Sequence, residues 1–164
     1  MSNVIDIDLG YDRIVRTMYR ELDGVTLKVG VQGSDTAVRR GKGGAIRNTN
    51  QPLAVVAAVH EFGLNKMPQR SFLRAAYDEN KATINKMIDN VADGVVTGMS
   101  AGTAINQLGN VIQGMVQRKI VNGPFKPNAP STIKRKGSAR PLIDTGRLRQ
   151  SIRYVIQKGD GDNE

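Results

Sequence analysis

Apolar residues recur along this chain with two different periods, and the two periods predict its regular elements. Spacings of three and four, which place side chains on one face of a helix, predict four helices, over Tyr11–Leu22, Pro52–Gly63, Ser71–Val96 and Thr103–Val121. Alternation of apolar and polar residues is typical of a half-buried strand, and it marks Val25–Gln32 and Ser151–Lys158. Alternation over Val4–Leu9 predicts a short edge strand or a lead-in. A sheet of about three strands is therefore predicted, with helices between its members.

Two internal segments lack a sustained period. Residues 33–50 are rich in Gly, Asn, Lys and Arg, and they predict a mobile loop or a hairpin arm. Residues 123–141 combine Pro, Ser and basic residues and predict a long flexible loop, while residues 159–164 predict a disordered tail. With no internal repeat or linker, residues 1–164 are expected to form a single α+β domain, in which a small antiparallel sheet packs against several helices.

Four residues are candidates for structural turns and caps. Gly63 follows an apolar run and is well placed to end that helix, and Pro68 lies in the turn before the next one. Asp144 is expected to be the N-cap of a short helix that leads into the last strand, within the compact turn that ends at Gly146. Open edges of so small a sheet must be covered or paired, which favours oligomerisation.

Charge is unevenly distributed along the chain. The net charge is +9, and residues 118–164 carry eleven Lys or Arg against four Asp or Glu. An excess of this kind suggests a polyanion or an acidic protein surface as a partner. No apolar run approaches the ~20 residues that span a bilayer. We therefore expect that the protein is made in a cytoplasm and does not associate with a membrane.

Candidate catalytic chemistry is weak. The chain has no Cys and one His, which excludes thiol catalysis and His-rich metal sites. His60-Glu61 resembles the start of a zincin helix, but no second His follows four residues later. The turn Leu142–Gly146 contains the Asp-Thr-Gly of aspartic proteases, but it would need a second carboxylate from a symmetric dimer and a β-rich body around it. We therefore expect no enzyme activity and no cofactor.

Three ordered segments carry a resemblance to a known family. They are Ala57–Gly63 (AAVHEFG), Met67–Arg74 (MPQRSFLR) and the pair Ser131–Gly137 (STIKRKG) and Pro141–Ile152 (PLIDTGRLRQSI). In this order and spacing they resemble the tail-completion and virion-morphogenesis (neck) proteins of tailed bacteriophages. The match spans roughly residues 53–156, and it departs from the family pattern at Ser71, where that family usually has Pro before the Phe.

The resemblance implies a non-enzymatic structural protein of the virion, located at the head–tail junction and present in the host cytoplasm during assembly. It implies a homo-oligomeric ring, with six copies expected, that joins a head connector or adaptor to a tail terminator or tail tube around the DNA channel. Basic residues are candidates for contacts with partners, other copies or the backbone of packaged DNA: Arg39, Arg40, Lys42, Arg47, Arg70, Arg74, Lys134, Arg135, Lys136 and Arg140. The alternative is a module that binds nucleic acid without sequence specificity.

Overall fold

A computed structural model describes residues 16, 18, 20–31, 35–40, 45–64 and 67–159, with only the backbone described at Arg40. Residues 20–22 are helical and precede β1. Most of the predicted first helix and the whole of Val4–Leu9 lie outside the described residues. The elements that follow are, in order, β1 (Val25–Val31), β2 (Thr36–Arg40), β3 (Ile46–Pro52), α1 (Leu53–Phe62), α2 (Leu73–Val96), α3 (Ala101–Asn122), α4 (Pro130–Lys136), α5 (Arg147–Ser151) and β4 (Ile152–Lys158). The predicted α+β class is confirmed.

The strands form two separate antiparallel pairs. The first joins β1 to β4, with Val25 opposite Lys158 and Val31 opposite Ile152. The second is a hairpin of β2 and β3, with Arg39 opposite Arg47. The described residues thus contain two small sheets of two strands each, where the sequence predicted one small sheet.

The two long helices pack against each other as an antiparallel pair. Helix α2 ends at Val96, and the chain reverses through Gly98, whose φ of 102° lies in the region that favours glycine. Ser100 then caps α3, because its hydroxyl accepts a hydrogen bond from the amide of Thr103 at 3.2 Å. Near the other end of the pair, Lys119 of α3 forms an ion pair with Glu79 of α2.

Helix α3 also lies across the first sheet. Gln117 donates a hydrogen bond to the carbonyl of Ile152 at 3.2 Å, and Gln113 accepts one from the amide of Tyr154 at 3.2 Å. Gly109 permits this approach, because a Cβ at that position would lie 2.5 Å from the ring of Tyr154. The C-terminal strand is therefore fixed to the middle of α3 by side-chain hydrogen bonds and by a close contact that only glycine allows.

The main core gathers residues that are distant in sequence. Phe72 and Ile152 are its two large side chains with no exposure, and Ala57, Ala76, Val116, Ile120, Leu142 and Leu148 complete it. A second, smaller cluster, Val95, Ala101, Ala104 and Ile105, lies at the other end of α3. The main core brings α1, the start of α2, the end of α3 and α5 together, and the candidate site lies beside it.

Two segments expected as loops contain regular structure. Residues 33–50 form most of the β2–β3 hairpin, which settles the choice between a loop and a hairpin arm where the residues are described. Residues 123–141 contain α4, which begins at Pro130 and ends at Gly137 in the left-handed conformation. Pro at a first helical position and Gly just past the end are the usual boundaries of a helix, so the prediction of an irregular loop throughout was wrong.

The expected cap at Asp144 is also wrong. The residue at the N-cap of α5 is Gly146, with φ 79°, and no side chain caps this helix. The left-handed turn at Gly146 moves the helix start two residues beyond Asp144, so Asp144 does not occupy the N-cap position. Gly63 does end α1, as predicted, and its amide donates to the carbonyl of Val59 at 2.9 Å.

Candidate functional site

A buried carboxylate joins α1 to α2. Glu61 is in the last turn of α1 and is 5% exposed. Its Oε2 accepts hydrogen bonds from the amides of Phe72 and Leu73 at 2.8 and 2.9 Å. Its Oε1 accepts from the amide of Arg74 at 3.0 Å and from the hydroxyl of Ser71 at 2.6 Å. One carboxylate thus satisfies three of the amides that the first turn of a helix leaves without an intrahelical partner.

The charge of Glu61 is stabilised where it lies. Burial alone would raise the pKa of Glu61, but the hydrogen bonds from the Ser71 hydroxyl and the three amides outweigh it, and the pKa is lowered below its usual 4.5. The positive end of the α2 dipole acts in the same direction. Glu61 is therefore a structural anion that fixes the angle between the two helices.

The turn between the helices has a fixed path. Gly63 has φ 74°, and a Cβ there would lie 3.0 Å from the amide nitrogen of Gln69. The amide of Arg70 donates to the carbonyl of His60 at 2.7 Å, which closes the turn from the other side. Glycine at position 63 is thus required twice, by its conformation and by the close approach of the returning chain.

Arg70 connects this turn to the distant segment before α4. Its side chain donates from Nε to the carbonyl of Lys126 at 3.0 Å, and from Nη2 to the carbonyl of Pro127 at 3.4 Å and to Oδ1 of Asn128 at 3.0 Å. Arg70 is 5% exposed, and Asn128 is also buried. The guanidinium is therefore held by neutral oxygens, and its positive charge is not cancelled by any of these contacts.

A cavity of about 600 Å³ opens beside Arg70 and its hydrogen-bond partners. Its walls come from β2, α1, the turn at Pro68, the segment before α4, α4 itself and the turn that leads into α5. One acidic side chain, Asp144, and six basic ones line it: Arg39, Arg70, Lys126, Arg135, Lys136 and Arg147. The volume and the excess of positive charge suit a small anionic group or a short acidic segment of peptide.

The positive charge of the cavity contributes to the pKa shifts of two of its ionisable groups. Burial, with the charges of Arg70 and Lys136, lowers the pKa of His60 from 6.5 to about 4, so the imidazole is neutral at pH 7. Burial also lowers the pKa of Lys136; Asp144 opposes that shift, while Arg70 and Arg135 add to it. His60 Nδ1 has no hydrogen-bond partner among the described residues. The cavity thus combines fixed cations with a neutral imidazole that can donate to or accept from a ligand.

The structure brings together four of the basic residues that the sequence suggested. Arg39, Arg70, Arg135 and Lys136 line the cavity, whereas Lys134, Arg140 and Arg47 are exposed outside it. Lys42 and the side chain of Arg40 lie outside the described residues. Of the structural turn residues, Pro68 and Gly146 also lie in the cavity wall.

Arg70 and Arg74, which were expected to form interface contacts, differ from each other. Arg70 is buried and held within its own chain, so the structure gives it an internal role instead of an exposed one. Arg74 is exposed, and its guanidinium lies 5.9 Å from the centre of the Phe62 ring. This is the distance range of a cation–π contact, and it leaves Arg74 accessible to a partner.

Sequence reasoning missed several residues of this site. Glu61 was considered as part of a metal-binding motif and as the start of a turn, Glu61–Gly63, that fixes the angle between two helices, but its carboxylate was not expected to cap α2. Asn128, Lys126 and Arg147 were not among the candidate site residues. A usable signal existed for Glu61: an acidic residue just before a helix-ending glycine, ten residues ahead of the Ser-Phe that opens α2. The partners of Arg70 carry no such signal, because they lie 56 to 58 residues away.

Comparison with protein-family models, curated proteins and solved structures found no match to this chain. Among the described residues, no group of three His, Cys, Asp or Glu is arranged to hold a metal ion. None of the helices in the described part of the chain is both long and apolar enough to cross a membrane.

Proposed function

We propose that this protein is a structural, non-enzymatic component of a tailed-bacteriophage virion. It acts at the head–tail junction, as a homo-oligomeric ring of six copies around the DNA channel. In this role it completes the tail and joins it to the head connector or adaptor through a tail terminator or tail tube protein. It assembles in the host cytoplasm and makes contact with packaged DNA only through basic side chains.

The observation that carries the proposal is the meeting of the three family-like segments at one place. Glu61, in the first segment, caps the helix that opens in the second. Arg70, in the second, holds the chain just before the third. The third supplies Leu142 and Leu148 to the same core as Phe72. Motif residues that interact across 50 or more positions form one structural unit, which supports treating the ordered set as a single signature.

Exposed apolar residues beside that unit support self-association. Phe62 is the last residue of α1, and Leu64 and Met67 follow it closely in sequence; the three are 63%, 57% and 41% exposed. Clustered exposed apolar side chains are typical of a protein–protein interface. Among the described residues, β1 and β4 also pair only with each other, so each has an edge that a neighbouring copy can use. A ring needs two such different surfaces on each copy, because its contacts are heterologous.

Imaging of particles tests the proposal. Particles assembled without this protein are expected to be DNA-filled heads and separate tails, and supplying the wild-type chain should restore joining. Electron cryo-microscopy of the restored particles should show a ring of this protein between capsid and tail. Normally joined, infectious particles in the absence of the chain would refute the proposal, and a location elsewhere in the virion would refute its position.

A nucleic-acid-binding module is the second candidate, and one observation favours it. Arg39 and Arg47 lie directly opposite each other in the β2–β3 ladder. Like charges at such a position destabilise a sheet, and a bound polyanion would relieve the repulsion. If this is the function, the purified protein binds duplex DNA without sequence preference, and its affinity falls steeply with salt. An affinity that does not change with salt would count against this alternative.

A further inference from the structure

The basic cavity beside Arg70 contains more positive charge than its own chain balances. Among its cations, Arg70 is buried and Lys136 is partly buried, and the single carboxylate of the lining belongs to Asp144. Cations held in a partly dry, concave site bind carboxylates more strongly than cations on an open surface do. The cavity is therefore complementary to a short segment that carries several carboxylates.

The shape of the site favours peptide over duplex DNA. Arg70 is 5% exposed and Lys136 is partly buried, so neither can reach the phosphates of a rigid double helix that lies on the surface. An extended peptide is narrow enough to enter a space of about 600 Å³ between α1 and α4. Peptide carboxylates can also be spaced to meet Arg135 and Arg147 at the rim.

This chain itself contains a matching acidic segment. Residues 160–164 have the sequence DGDNE, with three carboxylates and no basic residue. They form all but the first residue of the predicted tail 159–164, and they lie outside the described residues. The amide of Gly159, the residue before them, donates to the carbonyl of Gly24 at 2.8 Å, which places Gly159 at the end of the first sheet.

The start of the segment is separated from the cavity of its own copy by the length of β4. The strand begins at Ile152, four residues after Leu148 of the cavity wall, and the path from Ile152 to Gly159 covers about 23 Å at the rise of a β-strand. Glu164 lies five residues beyond Gly159, and even a fully extended chain covers at most about 18 Å over that length. The other two acids have a shorter reach, which favours the cavity of another copy as the site for all three carboxylates.

We infer that the acidic segment 160–164 of one copy binds in the basic cavity of a neighbouring copy. Its carboxylates pair with Arg135, Lys136 and Arg147, and the contact is head-to-tail because segment and cavity are different surfaces. The inference deepens the proposed ring and rests on it, since it names the contact between adjacent copies. Head-to-tail contacts repeat around a closed ring without leaving either surface unused.

A binding experiment on the full chain tests the cavity directly. The receptor is the full-length protein with its own segment neutralised by Asp160→Asn, Asp162→Asn and Glu164→Gln. The probe is a fluorescent peptide of residues 159–164, amidated at its end so that only side-chain carboxylates contribute, and its anisotropy is followed at about 150 mM salt, where exposed charges are largely screened. The acidic peptide should bind, and a peptide with the same three neutralising changes should not.

A matched pair of variants locates the binding. Arg147→Gln removes a cation from the cavity rim and should weaken peptide binding about tenfold, the usual effect of losing one charge-assisted hydrogen bond. Arg149 is on the same short helix, is exposed and does not line the cavity, so Arg149→Gln should change the affinity by less than about twofold. Equal effects of the two variants, or no binding of the acidic peptide, would overturn the inference.

Two further outcomes separate this inference from its rivals. A short DNA duplex could displace the peptide, and the binding of the DNA could be lost in Arg147→Gln but not in Arg149→Gln. In that case the cavity is a nucleic-acid site and the inference fails. Native mass spectrometry should show oligomers of the 17.8 kDa chain that dissociate when the segment is neutralised. Oligomers that persist after neutralisation overturn the inference and leave the proposed ring standing. A native chain that stays monomeric while its cavity binds the peptide overturns the contact between copies and also counts against the ring.

Discussion

Substitution of Glu61 by Gln is the most informative perturbation of this fold. The change keeps the size of the side chain but replaces one oxygen by an NH2 group. The carboxylate accepts four hydrogen bonds, two at each oxygen. The amide oxygen of Gln can accept two of them, and its NH2 group would face the other two donors. With the NH2 group in place of Oε1, the Ser71 hydroxyl can turn and accept from it, so the amide of Arg74 is the donor left without an acceptor. The three remaining hydrogen bonds lose their charged acceptor.

The expected loss is large for a single isosteric change. A hydrogen bond to a charged group contributes about 1.5–3 kcal/mol and one between neutral groups about 0.5–1.5 kcal/mol, so one lost bond and three weakened ones correspond to roughly 3–6 kcal/mol. Loss of the negative charge at the start of α2 adds about 0.5 kcal/mol. Relaxation of the turn will recover part of this, and we expect the free energy of unfolding to fall by about 4 kcal/mol. Such a fall is a substantial fraction of the ~5–15 kcal/mol of a typical domain.

Urea unfolding followed by far-UV circular dichroism measures this loss, since the chain has no Trp for a fluorescence signal. Glu79→Gln is the matched control: it makes the same chemical change at an ion pair whose carboxylate is 56% exposed. Such pairs contribute at most about 1 kcal/mol. A Glu61→Gln protein that loses no more stability than Glu79→Gln would refute the role given to Glu61.

The pH dependence gives an independent check of the same residue. The pKa of Glu61 is lowered in the folded protein, so between that value and 4.5 the unfolded chain binds more protons than the folded one. Stability supplied by Glu61 is therefore fully present above about pH 4.5 and is lost as the pH falls through the folded pKa. The difference in stability between wild type and Glu61→Gln should shrink over that window; a constant difference would contradict the assignment.

Three further predictions concern neighbouring features. His60, the only histidine, should titrate by NMR with a pKa of about 4. Because the unfolded imidazole takes up its proton near pH 6.5, the free energy of unfolding should fall by on the order of 3 kcal/mol between pH 6.5 and 4. An NMR pKa near 6.5 would contradict this. Arg70→Lys keeps the charge but loses the planar set of guanidinium donors, so urea unfolding should show a fall in the free energy of unfolding of about 2 kcal/mol. Exposed Arg74→Lys should lower it by less than about 0.5 kcal/mol. Equal losses would refute the role given to the hydrogen bonds of Arg70. Gly109→Ala should destabilise the protein by about 1–3 kcal/mol through overpacking against the ring of Tyr154. Gly114→Ala has only the end of the Arg118 side chain 3.5 Å away and should stabilise the protein by up to about 1 kcal/mol. A gain in stability from both variants would show that β4 does not pack closely on α3.

The long elements of this fold were predictable because their patterns are local. The apolar faces of α2 and α3 and the alternation in β1 and β4 follow directly from burial on one side. The strand β3 was not predictable in this way, because all seven of its residues are exposed and it has no alternation to detect. Backbone pairing with β2 forms this strand, and backbone pairing leaves no mark on the choice of side chains.

The candidate site was predictable only in its composition. A basic C-terminal third was evident, but its placement was not, because charge suggested a projecting loop where the chain forms α4 and a docked segment. Asp144 shows the same limit on a smaller scale: Asp before a short helix favours a cap, but the left-handed Gly146 begins the helix later. Residues such as Arg70 and Asn128 obtain their roles from contacts that no local pattern encodes.

The two polar contacts that define the site differ in the length of chain they close. Glu61 joins residues 10 to 13 positions apart, whereas Arg70 joins residues 56 to 58 positions apart. Closing the longer loop costs about 1.5 kcal/mol more in chain entropy, so the α1–α2 corner can form early, while the cavity exists only once distant parts of the chain have met. A partner that binds in the cavity would thereby select fully folded copies, and incompletely folded ones would be left out of assembly.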